Sequence, residues 1–158
     1  MKSATVSEIK KELQTYAPAQ LLELCLRLIK YKKDNKELLN YLLFEVNDEA
    51  AYIKNIKAEI DEQFALINLS NLYFAKKSLR KILRTTNKYI KYSGSKQTEA
   101  ELLIYFCATL KSSSINLENS TALLNLYQAQ LKKITKAING LHEDLQYDYQ
   151  KELEKLMI

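Results

Sequence analysis

The sequence has very little of what tight turns, disulfides and metal sites are built from. It contains two glycines, one proline, two cysteines, one histidine and no tryptophan. So few glycines and prolines exclude a β-sandwich or an α/β fold, because both need many turns and loops. Leu, Lys, Glu, Ala and Gln supply much of the chain, and these residues favour helix. The sequence therefore predicts an all-α fold, and its 158 residues suffice for one domain with a hydrophobic core.

Long apolar runs are missing as well. The longest run that is apolar except for a single residue, 102–110, is about half of the ~20 residues that a membrane-spanning helix needs. Residues 1–13 are polar and charged, so we expect no signal peptide and no membrane partner. Cys25 and Cys107 are isolated among apolar neighbours, which predicts buried free thiols. That usage is typical of the reducing cytoplasm, where we expect the protein to be located.

Acidic residues are missing from one long window. Residues 63–98 contain no Asp or Glu and eight Lys or Arg, so the window carries +8 in a chain of net charge +5. Placed on a helix at ~100° per residue, residues 72–92 separate into an apolar arc of roughly 100° and a neighbouring cationic arc of about 140°. We therefore predict a helix from about 71 to 92 with one buried and one cationic face. The predicted buried arc consists of Leu72, Ala75, Leu79, Ile82, Leu83, Thr86 and Ile90.

The cationic arc is the candidate binding site, with Tyr73, Lys77, Arg80, Arg84, Lys88 and Lys91 as its residues. Tyr73 lies in the middle of the arc, and cations interleaved with aromatic rings are typical of proteins that bind single-stranded nucleic acid. An acidic protein surface is attracted by the same charges. A third interpretation needs no ligand, because charge runs are usually solvated or paired within the protein. The acidic residues available for such pairing are Glu143, Asp144, Asp148, Glu152 and Glu154.

The first helices are predicted from their caps and their apolar spacing. Thr5 and Glu8 have the spacing of a capping box, and Pro18 suits the first turn of a second helix. Residues 21–31, LLELCLRLIKY, are apolar over most of a helix circumference, which predicts a helix sandwiched between neighbours. Residues 38–43 are predicted to form a further buried helix.

Glycine positions shape the second half of the chain. Gly94 is expected to end the basic helix, and Thr98 with Glu101 to cap the next one. Apolar residues in 121–156 recur every three or four positions straight across Gly140, which favours one long helix over the alternative of a helix that stops at this glycine. The expected architecture is a set of antiparallel helical hairpins, as a bundle or a short α-solenoid-like array, with a long C-terminal helix.

A faint internal repeat is present. The letters IKY followed by ELLxY occur at residues 29–41 and again at 90–105. Such matches also arise by chance in a chain rich in Leu, Lys and Tyr, so it stays open whether the single domain 1–158 consists of two halves, 1–68 and 69–158. The ankyrin, tetratricopeptide and leucine-rich patterns are all absent, and the sequence resembles no particular family.

The sequence offers few residues for catalysis. His142 stands in HED, but a zinc-binding HExxH motif needs a second histidine where this chain has Gln146. Neither glycine belongs to a phosphate-binding loop. We therefore predict no catalytic residue, no metal and no cofactor, and expect that the protein is not an enzyme.

The predicted function is a non-catalytic helical interaction module that presents the basic face of residues 72–92 to an acidic protein partner. One alternative is nucleic-acid binding through the same face. Another is an unrecognised enzyme whose carboxylates come together only in the folded chain.

Overall fold

The computed structural model of the protein describes residues 2–158. Every regular element in that range is helical, and the range contains no strand. The all-α prediction is confirmed. None of the helices in the described range is both long and apolar enough to cross a lipid bilayer. The α-helices are α1 (Val6–Leu13), α2 (Pro18–Tyr31), α3 (Lys33–Asn40), α4 (Glu49–Ala65), α5 (Leu72–Ser93), α6 (Lys96–Ser112), α7 (Thr121–Asn139) and α8 (Glu143–Leu156).

The chain divides into two compact units. The N-terminal unit ends at Phe44 and contains α1, α2, α3 and most of a π-helical turn, Tyr41–Glu45. The C-terminal unit runs from Glu45 to Ile158 and contains α4 to α8 and a 3₁₀ turn, Leu117–Asn119. The predicted single domain 1–158 and its repeat halves 1–68 and 69–158 stay predictions.

The helix starts of the N-terminal unit agree with the sequence. Thr5 caps α1 with the predicted capping box: the backbone N–H of Thr5 donates to Glu8 Oε2 at 2.7 Å, and the N–H of Glu8 donates to Thr5 Oγ1 at 3.3 Å. Pro18 occupies the first turn of α2, where its missing N–H needs no partner. Helices α2 and α3 pack against each other.

The predicted burial of this unit is wrong. Among residues 2–44 the only buried side chain is Tyr41, and α1, α2 and α3 contain none. Leu22 and Leu28 of α2 are 60% and 57% exposed, so α2 is not sandwiched. Cys25, predicted to be buried, is exposed. Periodicity shows that α2 has a wide apolar face, but it does not show that another element covers that face.

The C-terminal unit is built around α6. This helix packs against α4, α5, α7 and α8, and six of its apolar side chains are completely enclosed. Ala100, Leu102, Leu103, Phe106, Cys107 and Leu110 each have 0% exposure. A helix that is apolar over most of its circumference becomes buried when it lies between several neighbours. Helix α6 is therefore the interior of the unit.

Helix α5 lies on this interior as the sequence predicts. Asn71 caps it, accepting from the N–H of Tyr73 at 2.8 Å, and Gly94 ends it in the left-handed conformation at φ 67°. Helix α6 begins earlier than predicted, because Ser95 rather than Thr98 is its cap. The predicted buried arc is confirmed except for Leu72, which is 38% exposed. The buried residues of α5 are Ala75, Leu79, Ile82, Leu83, Thr86 and Ile90.

The single long helix predicted for residues 121–156 is wrong. Helix α7 ends at Asn139, and α8 starts after His142, whose backbone is extended at φ −62° and ψ 147°. Helices α7 and α8 pack against each other and against α6. Their apolar residues stay in step across Gly140 because both helices bury the same kind of stripe in one interior. The spacing therefore indicates a shared core and not a continuous helix.

We predict that Leu79→Ala lowers the free energy of unfolding by about 2–5 kcal/mol, the usual cost of truncating a fully buried leucine. Leu79 is 0% exposed and belongs to the buried face of α5, which packs against other helices of the C-terminal unit. The measurement is urea unfolding followed by circular dichroism. Lys81→Ala on the exposed face of the same helix serves as control and should change stability little. A loss below about 1 kcal/mol for Leu79→Ala would place the buried face elsewhere.

We predict opposite effects for alanine at the two glycines. Gly94→Ala should destabilise by about 1–2 kcal/mol, because φ 67° is a left-handed conformation that strains a side chain. Gly140 has φ −89°, and an added Cβ would meet only ordinary contacts, the nearest being Ala137 O at 3.4 Å. Gly140→Ala should therefore stabilise by about 0.4–1 kcal/mol through the unfolded chain. Equal losses in thermal unfolding of the two variants would contradict this assignment.

Candidate functional site

The candidate site is the solvent-facing side of α5. Because the apolar stripe of α5 is held against the interior, the opposite face has to project into water, and it carries the cations. Lys77, Arg80, Lys81, Arg84 and Lys91 are exposed there, and Lys76 is half-buried.

Part of this face forms a surface hollow. Its volume is about 350 Å³, and its walls are the side chains of Tyr73, Lys76, Lys77, Arg80 and Arg84. We call this hollow the basic groove. From residue 73 to residue 84 the groove follows α5 for roughly 16 Å at the helical rise. Four of the six predicted site residues lie around it, and Lys76 joins them although the sequence analysis did not select it. The spacing of four residues between Lys76 and Arg80 places both on one side of the helix, and this spacing could have identified Lys76.

Two of the predicted site residues lie outside the groove. Lys88 is half-buried, and its Nζ lies 5.6 Å from the ring centroid of Tyr89. The hydroxyl of Tyr89 donates to Glu59 Oε2 of α4 at 3.0 Å, so Lys88 stands beside the α4–α5 contact. Lys91 is exposed, but it follows Arg84 by about 10 Å along the helix.

Six cations of α5 are not neutralised by the described residues. Within residues 2–158, these side chains have no salt bridge and no hydrogen-bond partner: Lys76, Lys77, Arg80, Lys81, Arg84 and Lys91. For these six cations, the pairing with acidic residues of the last segment, considered as an alternative from the sequence, is therefore not found. In α8, Glu152 pairs instead with Lys155 at 2.6 Å.

Like charges crowd each other along this face. Lys76, Arg80 and Arg84 follow each other at intervals of four residues, as do Lys77 and Lys81. Each such like-charge pair on a helix surface is unfavourable by about 0.2–0.5 kcal/mol. The sequence leaves this repulsion in place, since no acidic residue interrupts the window. Natural proteins tolerate such local costs chiefly where a surface serves binding.

Exposed apolar side chains lie at the amino end of α5 and in the segment before it. Tyr73 is 67% and Phe74 49% exposed, and their ring centroids are 5.5 Å apart in an edge-to-face arrangement. The segment immediately before them contributes Leu66 and Leu69, which are 84% and 59% exposed. Aromatic and aliphatic side chains therefore adjoin the cations in the sequence of this region.

Other titratable groups of the C-terminal unit connect helices. Tyr105 donates to Asp61 Oδ2 at 2.7 Å, and this hydrogen bond raises the pKa of Tyr105 above its ordinary value. Glu101 accepts from Lys57 Nζ at 2.6 Å and from the hydroxyl of Tyr149 at 3.3 Å. Burial raises the pKa of Tyr149. These contacts join α4 and α8 to α6, which is a structural role.

Thiol and imidazole chemistry has little support in the described residues. Burial raises the pKa of the Cys107 thiol to about 12, so the thiol is protonated near neutral pH. The side chain of His142 is 75% exposed, and it accepts from the N–H of Asp144 as the cap of α8. Residues 2–158 contain no cluster of three or more His, Cys, Asp or Glu arranged to hold a metal ion.

We predict that Arg80→Glu stabilises the protein by about 1 kcal/mol at low salt, because it turns repulsion from Lys76, Lys77 and Arg84 into attraction. Thermal and urea unfolding measure the change. Arg80→Gln should give roughly half of the gain, since it only removes the repulsion. In about 1 M NaCl, where the Debye length is about 3 Å, the gain should largely vanish. A marked loss of stability would mean that Arg80 is held by a structural ion pair.

Comparison of the chain with protein-family models, with curated proteins and with solved structures finds no match. No relative therefore supplies a function that could be tested against the groove. What the site does has to be argued from its own charges, shape and exposure.

Proposed function

We propose that the protein is a non-catalytic helical interaction module that binds an acidic protein partner through the basic groove. The observation that carries this proposal is that Lys76, Lys77, Arg80 and Arg84 wall one hollow and have no carboxylate partner within the described residues. A surface that concentrates unpaired cations attracts a partner of opposite charge and raises the rate of encounter. The free cysteines support a reducing compartment, and we propose the cytoplasm.

The chemistry of the groove suits carboxylates. Arg80 and Arg84 carry planar guanidinium groups, which bind a carboxylate through two parallel hydrogen bonds. The two lysines add point charges with freely rotating donors. The groove length of roughly 16 Å corresponds to about five residues of extended peptide or three turns of helix. An acidic segment of that length places several carboxylates along the groove.

The apolar surface near the groove favours a protein over a nucleic acid. Protein interfaces combine arginine with exposed aromatic and aliphatic side chains at their centre. Tyr73 and Phe74 supply the rings, and Leu66 and Leu69 supply aliphatic surface beside them in the sequence. A phosphate backbone makes no use of such leucines.

Nucleic-acid binding is the second candidate, and one observation favours it. Tyr73 is 67% exposed and also forms part of the groove wall, so its ring is accessible beside the cations. Bases stack on such rings while lysine and arginine contact phosphates. The two candidates share the groove but differ in the use of Tyr73 and of the leucines.

We predict that the chain binds a fluorescein-labelled 20-residue peptide rich in Glu, Asp and Leu, and that Arg80→Glu with Arg84→Glu weakens this binding at least tenfold. Fluorescence anisotropy gives the affinity, and circular dichroism shows that the variant keeps its fold. Lys132→Glu with Lys133→Glu is the matched control, because it makes the same charge change at two exposed lysines of α7. Equal weakening by both pairs would indicate attraction by net charge alone and would contradict a specific groove.

The same assay with single-stranded oligo(dT) separates the candidates. Leu69→Ala should weaken binding of the peptide and leave oligo(dT) unaffected. For nucleic acid, Tyr73→Ala should cost ~1–3 kcal/mol, and log K should fall with log salt at a slope of about −3 for four phosphate contacts. Tight oligo(dT) binding with these features would replace the proposed function by the second candidate. If neither the peptide nor oligo(dT) binds the wild-type chain more tightly than it binds the Arg80→Glu, Arg84→Glu variant, both candidates fail.

A further inference from the structure

The N-terminal unit exposes an unusual amount of apolar surface. Twelve large apolar side chains in residues 2–44 are more than a third exposed, against nine in residues 45–158, although the second unit is much longer. Soluble monomers rarely expose contiguous apolar patches above a few hundred Å². A unit with Tyr41 as its only buried side chain among residues 2–44 gains little stability from its own interior.

The exposed surface is centred on α2. At ~100° per residue, the apolar residues of α2 fill about 200° of its circumference, and Cys25 lies in the middle of that arc. Five of them are exposed, and Leu21 and Ile29 are half-buried. The exposed members of the arc are Leu22, Leu24, Cys25, Leu26 and Leu28.

The arc is nearly symmetric when the chain is reversed about Cys25. Residues 21–29 read LLELCLRLI, so reversal exchanges Leu21 with Ile29, Leu22 with Leu28 and Leu24 with Leu26. The two residues that interrupt the apolar letters have opposite charges and exchange with each other, Glu23 with Arg27. Such a helix is complementary to a second copy of itself running in the opposite direction.

We propose that two copies of this chain associate through α2, with the two helices antiparallel and a two-fold axis passing beside Cys25. A two-fold interface brings residue i against residue j and residue j against residue i, and reversal of the sequence pairs every member of the apolar arc with another apolar residue. A parallel arrangement would instead align the two helix dipoles, whereas an antiparallel pair opposes them. The occupant of the face is thus a second copy.

The available area is that of a stable dimer. Five of the twelve exposed side chains lie on α2, and four more lie on the adjoining α3 and π-helical turn, Leu38, Leu42, Leu43 and Phe44. At roughly 60–120 Å² of apolar surface each, these nine approach the ~800 Å² per partner of a typical specific interface. The rest of the chain is not needed to supply contacts.

The first test is the mass of the full chain in sedimentation equilibrium under reducing conditions, with a dimer of 18.4 kDa chains expected at micromolar concentrations. Leu22→Glu with Leu28→Glu should weaken association roughly 100-fold or more, since each buries a charge in place of a leucine. Both residues are more than half exposed, so the variant should keep its helix content by circular dichroism.

A matched control introduces two glutamates at equally exposed apolar positions outside the N-terminal unit. Tyr147→Glu with Met157→Glu does so in residues that are 65% and 54% exposed, and this variant should stay dimeric. A wild-type chain that stays monomeric up to about 0.5 mM, or a control pair that dissociates the dimer as well, would overturn the proposal.

The second test determines the direction of the helices. Packed helix axes are 8–10 Å apart, so facing Cα atoms of Cys25 lie roughly 3–5 Å apart, close to the separation that a disulfide spans. Diamide, which takes up the two thiol hydrogens, should therefore link two copies through Cys25. Cys107 is 0% exposed and cannot compete.

In a Cys25→Ser background, a mixture of Leu22→Cys and Leu28→Cys chains should cross-link, because residues 22 and 28 face each other across the axis. Neither variant should cross-link efficiently by itself. Cross-linking of Leu22→Cys with itself but not with Leu28→Cys would show a parallel pair and contradict the proposed interface. None of these readouts involves the basic groove, so failure here leaves the proposed function untouched.

Discussion

The enclosure of α6 is the constraint from which the rest of the C-terminal unit follows. A helix that is apolar over most of its circumference gains its stability only if other helices cover that surface. Helices α4, α5, α7 and α8 do so, and each has to turn one stripe inward. The orientation of α5 is therefore fixed by burial, and its cationic side faces water as a consequence. Neither ion pairing nor a ligand is needed to explain why the basic groove is on the surface.

Burial explains the position of the cations but not their number. The stripe of α5 that packs inward needs only residues such as Leu79 and Ile82. The outward positions are free to carry any helix-forming residue, and a mixture of Glu and Lys would be more stable than cations alone. The chain instead keeps repulsion between Lys76, Arg80 and Arg84. A cost that folding does not require is consistent with the groove having a partner.

The sequence predicts well what depends on local chemistry. The cap of α1, the end of α5 at Gly94 and the buried face of α5 each follow from a few neighbouring residues, and all three are confirmed. The candidate residues Tyr73, Lys77, Arg80 and Arg84 were found in the same way. The missed Lys76 shows the limit of a helical wheel, since a long side chain can reach a hollow from the edge of an arc.

The errors share a different physical cause. An apolar pattern indicates which face of a helix is hydrophobic. It does not indicate whether that face is covered by another helix, by another chain or by neither. That is why the burial of α2 and of Cys25 was predicted wrongly. The same ambiguity explains the segment around Gly140, where two helices that share one interior keep the spacing of one. Information of this kind lies in tertiary packing, which periodicity does not contain.

The uneven distribution of buried side chains has a consequence for how the chain opens and closes in time. Helix α6 packs against four other helices, so its amide hydrogens should exchange with solvent only when the whole C-terminal unit unfolds. Those of α2 are bordered mainly by exposed side chains, and a local opening should release them. A protease is then expected to cut first in the N-terminal unit, while the segment that carries the basic groove survives as a resistant core.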